Sequence, residues 1–437
     1  MAASSLRIRV PGDKSLTQRA LILAALADGE SRLSGLLYGG DAESTAKALR
    51  ALGVEVPPLP LDGSEIRVSG VGLRGLRAPS SALDLGNSGT GTRLLLGVLA
   101  GSDITATVTG DASLQARPMA RVTEPLSSMG AAFEALGHEG RLPLRVRGKR
   151  PLQSIDWHTP VASAQVKSAL LLAGLTGGAS TIITEPRRSR DHTERFLDRV
   201  GVSVTAGPSE GGWRVEMRDP PDRIEPLDFQ VPGDVSSAGF MFALAALRGS
   251  SGARLTVEGV GLNPTRAAFL DVLERMGARI DVEEVGGEGG GEPVGHVTVS
   301  ASGLRGTTVS GLEVPALIDE LPLVAVLGAR AQGMTRIRGA EELRAKESDR
   351  IEALIWNLRA LGVEVEELPD GLTVEGTTRP LQGAVKGFGD HRIAMAFGVL
   401  GSMESCNIEI DDRSLADVSF PGFWELLRRF DSAAAGT

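Results

Sequence analysis

The chain has 437 residues, 42% of them hydrophobic, 23% charged and only 4% aromatic, the composition of a globular protein with an aliphatic core and room for two or three domains. Its net charge of −9 argues against a general nucleic-acid or membrane-surface binder, and a single cysteine, Cys406, excludes an internal disulfide framework and a cysteine-based zinc site. No apolar run is long enough to span a bilayer, and the eleven residues before the first motif leave no room for a leader, so a cytoplasmic protein is expected.

LRIRV at the start reads as a strand, and one pattern then recurs six times, at 12–31, 85–103, 163–180, 233–252, 319–339 and 389–405. In each copy a small polar turn opens an Ala/Leu-rich helix, a Gly closes it, and a strand pattern usually follows. Helix bodies such as LILAALA, LLLGVLA, ALLLAGL and FMFALAAL have no wide polar face and therefore read as buried. Amphipathic helices alternate with them at 41–56, 118–134, 190–204, 263–280 and 346–368, and a last helix is expected at 420–430. Hairpin-like pairs such as GSEIRVSGVGL and GGWRVEMRD complete the units. Each unit reads roughly as βαβαββ, with sheets outside and apolar helices inside. GGEGGGEP (286–293) reads as a flexible loop tip, and a boundary near PLDFQVPGD (226–234) divides the six units three and three.

The polar openings are candidate anion sites, because the first N–H groups of a helix lack intrahelical partners. In GDKS, Lys14, Ser15 and Arg19 can face one ligand, although the P-loop spacing is absent. In LGNSGTGTR (85–93) the glycines let a ligand approach the backbone near Gly89. Arg117 precedes a helix-starting Pro and can clamp a carboxylate or phosphate. Ser163, Ala164 and Gln165 open an otherwise apolar helix, and Arg187, Arg188 and Arg190 precede another helix start; His192 beside them reads as structural. Asp319 and Glu320 interrupt an apolar stretch, so one of them is expected near-buried, as a general acid or base would be. EELRAKESDR (341–350) is a dense charge run, and His391 and Arg392 open a wholly apolar helix. No metal site is expected, since no second His lies near His391. Only six of the 46 basic residues are Lys, and Lys14, Lys167 and Lys346 lie in or beside these motifs, which singles them out.

In this order and spacing, GDKS…R, LGNSGT…R, RPM, SAQVKSALLLAGL, SRDHTE, KESDR and DHR resemble the enolpyruvyl transferases, and the likeness runs from residue 7 to about 430. The resemblance implies a two-domain, inside-out α/β barrel fold of six βαβαββ repeats, three per domain. It places one domain at 14–227 and the other at 1–13 with 228–437, the active site in the cleft between them. It is closest to the branch that transfers the enolpyruvyl group of phosphoenolpyruvate to the 5-hydroxyl of shikimate 3-phosphate, a step of the shikimate pathway, without cofactor. By the same resemblance, Lys14, Ser15, Arg19, Ser163, Ala164, Gln165, Arg190, Asp319 and Lys346 would hold shikimate 3-phosphate. Lys14, Gly89, Arg117, Gln165, Arg350 and Arg392 would hold phosphoenolpyruvate. Asp319, Glu347, Lys14 and His391 are the expected proton-transfer groups. A monomer that acts on small molecules, with no nucleic-acid or membrane partner, is expected.

Two departures stand out. Many members carry a Lys just before the last Phe-Pro, where this chain has Val418, and many have a Tyr where this chain reads SRDHTE. Both features, with EELRAKESDR, fit a second sequence type within the family, and within that type Gly89 rather than Ala implies sensitivity to the inhibitor glyphosate. The alternatives are the sister transferase acting on a UDP-sugar, which usually carries a reactive loop Cys, and a non-catalytic anion-binding protein on the same scaffold. Cys406, on a late strand approach, reads as structural.

Overall fold

The computed structural model describes residues 5–248, 254–286, 291–301 and 303–435. They fall into two compact units. One takes in the described residues of 12–231 and 287–292; the other takes in those of 1–11, 232–286 and 293–437. Each unit has its own aliphatic core.

In the unit of 12–231, the first three repeat openings form the helices Lys14–Leu26, Gly89–Ala100 and Ala164–Gly177. Asp13, Ser88 and Ser163 cap them, each accepting a hydrogen bond from the backbone N–H three residues on. These helices have no exposed face: Leu16 to Leu26 and Val166 to Gly177 are buried without interruption. The second and third helices press together so closely that a Cβ on Gly97 would lie 2.2 Å from the carbonyl oxygen of Ala169. Only glycine permits that approach. The amphipathic helices Gly40–Ala51, Ala120–Ser128 and His192–Arg199 bury one face each.

Two sheets of this unit share one strand order. Leu83–Asp84, Thr105–Thr109, Leu144–Arg147 and Ala132–Ala135 form one, and Ile155–His158, Thr181–Glu185, Gly212–Met217 and Thr205–Ser209 the other. In both the first pair is parallel, joined through a buried helix, and the remaining pairs are antiparallel. The third sheet has only Asp228–Gln230, Glu30–Ser34 and Ile66–Ser69, with Glu55 bridging Ser69 where a fourth strand would run. GSEIRVSGVGL is therefore not a hairpin. After Ser69 the chain folds over the end of the first helix, and Val71 and Gly72 donate to the carbonyls of Ala25 and Ala27. Gly70 makes this possible, since a Cβ there would stand 2.2 Å from the Ala27 oxygen.

The other unit repeats the scheme. Its buried helices are Val235–Leu247, Leu321–Gly328 and His391–Gly401, and its outer helices are Ala268–Arg275, Arg350–Ala360 and Phe423–Ala435. The N-terminal strand Ser5–Ile8 pairs in parallel with Arg254–Gly261, which lies far along the chain, and Val294–Ala301 and Ala278–Gly286 complete that sheet in the order seen above. Thr308–Val309, Met334–Ile337, Gly371–Glu375 and Val365–Leu368 form a second sheet. The last repeat stops at the parallel pair Leu381–Val385 and Cys406–Ile410 before the final helix. Of the GGEGGGEP loop, 287–290 lie outside the described residues, as do 249–252 at the end of the fourth copy. No described helix is long and apolar enough to cross a membrane.

Candidate active site

In the unit of 12–231, the polar openings of the three buried helices carry the candidate residues. Lys14 places its ammonium 3.1 Å from Asp41 Oδ2 and is largely buried. Arg19 lies one turn beyond Ser15 and is 4% exposed. Its guanidinium donates to Ser15 O at 3.0 Å, Ser168 Oγ at 3.0 Å and Thr193 Oγ1 at 2.8 Å. Burial lowers its pKa to about 10, against the pull of Asp13 and Glu194, and nearby Arg190 pushes the same way as burial. Arg19 therefore keeps its charge at neutral pH, held rigidly by two hydroxyls and a carbonyl.

Gly89 opens the second buried helix, and two arginines close on it. A Cβ there would lie 2.8 Å from Arg117 Nη1 and 3.0 Å from Arg93 Nη1. Arg117 donates to Asn87 Oδ1 at 2.6 Å, and Asn87 is itself anchored to Asp111 at 2.8 Å. Arg93 donates to Gln165 Oε1 at 2.9 Å, and Gln165 Nε2 donates to Thr90 Oγ1 at 2.9 Å. Gln165 is thus fixed from both ends beside Gly89. Ser163 is positioned through its backbone N–H, which donates to Glu185 Oε1 at 2.9 Å, and Ala164 opens the helix it caps.

Lys167 has a different role from the one its place in the motif suggests. Its side chain is fully buried, with the ammonium 2.8 Å from Glu194 and 3.0 Å from Glu185. Burial alone would lower its pKa, but the two carboxylates outweigh that and hold it above the ordinary lysine value. Lys167 is a strut beneath Ser163 and Arg19. His192 is buried against Glu292, its Nδ1 2.7 Å from Oε1, in keeping with a structural role.

In the other unit the cluster centres on Arg350, which is 1% exposed at the start of its helix. Its guanidinium meets Asp390 at 2.7 Å, Glu347 at 2.6 Å and Asp319 at 3.5 Å. Burial works against this cation, but Asp390, Glu347 and Asp319 prevail and raise its pKa well above the ordinary arginine value. Arg392 donates to the Asp319 carbonyl at 3.1 Å and lies 3.6 Å from its carboxylate. Lys346 is half-buried, and its pKa is lowered by desolvation, with Asp319 and Glu342 opposing and Arg350 reinforcing the shift. His391 is buried at the first turn of its helix, next to Asp390, whose carboxylate caps that helix by accepting from Arg392 N at 2.9 Å.

Of the two neighbouring acids, Glu320 is the fully buried one and Asp319 is partly open. Ser236 donates to Glu320, and Arg266 donates to Ser236 at 2.7 Å. The GDVSSAG opening therefore supports the acid pair through Ser236. The sequence motifs contained Arg93 and Asp390 without assigning either a role. The available signal was a lone charge set against an apolar helix. Ser168 and Thr193, which hold Arg19, carry no comparable signal.

The sequence profile of the family described as EPSP synthase (3-phosphoshikimate 1-carboxyvinyltransferase) matches residues 3–427. A relative in Desulforamulus reducens named 3-phosphoshikimate 1-carboxyvinyltransferase is 47% identical over 422 residues, 96% of each chain. One of the same name in Alkalilimnicola ehrlichii is 49% identical over 420 residues, covering 96% of this chain and 92% of the relative. The solved EPSP synthase of Acinetobacter baumannii superposes with a TM-score of 0.83 at 39% identity, over 98% of this chain and 96% of that one. The enolpyruvyl transferase NikO of Streptomyces tendae shares the fold, with a TM-score of 0.74 at 19% identity over 98% and 95% of the two chains.

Proposed function

Because the chain belongs to the EPSP synthase family, we propose that its two polar clusters serve one reaction on one pair of substrates. The chain is a 3-phosphoshikimate 1-carboxyvinyltransferase of the shikimate pathway. The 5-hydroxyl oxygen of shikimate 3-phosphate bonds to C2 of phosphoenolpyruvate while C3 gains a proton. The tetrahedral adduct then loses phosphate from C2 and a proton from C3, which leaves the enolpyruvyl ether. A UDP-sugar acceptor is not favoured, given the relatives named for 3-phosphoshikimate, and membership of an enzyme family stands against a purely binding role.

Lys14, Ser15, Arg19, Ser163, Ala164, Gln165 and Arg190 hold shikimate 3-phosphate, with Asp319 and Lys346 on its ring hydroxyls. Lys14, Gly89, Arg117, Gln165, Arg350 and Arg392 hold phosphoenolpyruvate. Both substrates are anions, so their repulsion has to be offset by fixed cations that need no reorganisation on binding. Asp319 takes the proton of the attacking hydroxyl, Glu347 transfers the proton at C3, Lys14 serves the departing phosphate, and His391 assists. The observation that carries this reading is the set of carboxylates around buried Arg350. Acids sharing one cation hold a proton more readily once an anionic substrate competes for that cation. The protein acts as a cytoplasmic monomer.

Asp319→Asn and Glu347→Gln test the assignment. Each is expected to keep KM near the parent value and to lower kcat by about 100- to 10,000-fold in steady-state assays. Near-parental turnover in both would reject the assignment.

A further inference from the structure

A cavity of about 290 Å³ lies in the unit of 12–231, away from the helix openings that hold the candidate site. Leu73, Leu76 and Ile104 form its apolar wall, and Arg74, Arg150 and Asp103 bring charge to it. The two arginines share one carboxylate, Asp222: Arg74 pairs with it directly and Arg150 lies 3.5 Å away. Asp222 is 82% exposed, so water screens both pairs and they hold it weakly. Arg150 is fixed by donating to the carbonyl of Thr176. Two guanidiniums on a replaceable carboxylate make a site for a ligand carboxylate, which arginine can grip bidentately. No hydrogen bond or ion pair engages the Asp103 carboxylate among the described residues, which leaves it available to an ammonium group.

The cavity lies at the far ends of two helices that open on the candidate site. Ser102 lines it and lies just past the end of the Gly89–Ala100 helix, where its hydroxyl donates to Val98 O at 2.7 Å. Thr176, which holds Arg150, is in the last turn of the Ala164–Gly177 helix, and its hydroxyl reaches Val98 O at 3.2 Å. The cavity therefore adjoins the C-terminal ends of the two helices whose N-terminal ends carry Gly89, Arg93 and Gln165.

We infer that this cavity binds a free α-amino acid with an apolar side chain. Its carboxylate replaces Asp222 on Arg74 and Arg150, its ammonium pairs with Asp103, and its side chain packs on Leu73, Leu76 and Ile104. Occupancy fixes the far ends of the two helices and so modulates phosphoenolpyruvate affinity at their near ends. The binding claim stands apart from the proposed reaction; only the modulation rests on it.

The test is calorimetric titration of the full-length protein with L-phenylalanine, alongside 3-phenylpropionate, which lacks the ammonium, and inorganic phosphate. Saturable binding of L-phenylalanine is expected. Arg74→Met and Asp103→Asn, both exposed and away from the candidate site, are each expected to weaken it about tenfold or more, and 3-phenylpropionate to bind about tenfold more weakly than L-phenylalanine. No saturable binding up to about 10 mM would overturn the inference. So would binding unchanged in both variants, or phosphate binding more tightly than the amino acid. With binding established, an unchanged KM for phosphoenolpyruvate at saturating L-phenylalanine would overturn the modulation alone.

Discussion

At Gly89 the absence of a side chain leaves room for two guanidiniums. Arg117 and Arg93 both reach the space a methyl would fill, at 2.8 and 3.0 Å. These contacts are the far ends of flexible chains, so an alanine would leave the helix intact and displace the guanidiniums instead. Gly89→Ala is therefore expected to fold normally and to raise the KM for phosphoenolpyruvate about tenfold. Glyphosate, which is larger and is expected to compete at the same place, should lose more affinity than phosphoenolpyruvate loses. Steady-state inhibition kinetics on parent and variant check this; equal losses for both ligands, or a parent enzyme indifferent to millimolar glyphosate, would contradict it. The candidate groups themselves were legible because they stand in polar openings of apolar helices. Arg93 and Asp390 were present in the same motifs without a readable role. Their partners, Gln165 and Arg350, lie 72 and 40 residues away, and no local pattern reports a pairing at that range.

At the scale of the element, the helix opening does two jobs, and Lys167 separates them. Ser163 and Gln165 stay partly exposed at the start of the helix, whereas Lys167 turns inward to Glu185 and Glu194. From sequence a lysine two residues beyond Gln165 reads as part of the same polar group; the fold buries it because the helix is covered on every side from Val166 onward. Lys167→Met removes the one ammonium that both buried carboxylates, Glu185 and Glu194, hold. A loss of about 3–5 kcal/mol is expected in urea denaturation at neutral pH. The pH dependence has a definite sign. A lysine held above its ordinary value binds its proton more tightly folded than unfolded, so its contribution is complete below the ordinary lysine pKa. It fades as pH rises through the higher folded value, so above neutral pH the gap between parent and variant should narrow only in strong alkali. A gap that closes between neutral pH and the ordinary lysine pKa would contradict this account of the strut.

At the scale of the molecule, the sixfold repeat was legible because its signal is local: an unbroken apolar helix, a Gly stop and a strand. What escaped was the sheet edges. The first repeat has Glu55 as a lone bridge in place of a fourth strand, and the last stops at a parallel pair. Neither loss is visible in residues whose alternation still permits a strand, and the pairing of Ser5–Ile8 with Arg254–Gly261 spans more of the chain than periodicity can report. Each unit has a core of its own. Sedimentation equilibrium is expected to give the 45.6 kDa mass of a single chain, and a mass that rises to twice this with concentration would count against the monomer. The central claim concerns the reaction, and it is tested most directly by continuous measurement of phosphate release from phosphoenolpyruvate. The account predicts release that requires shikimate 3-phosphate and matches the enolpyruvyl ether formed mole for mole. Release with a UDP-sugar acceptor instead, or none with shikimate 3-phosphate, would contradict it.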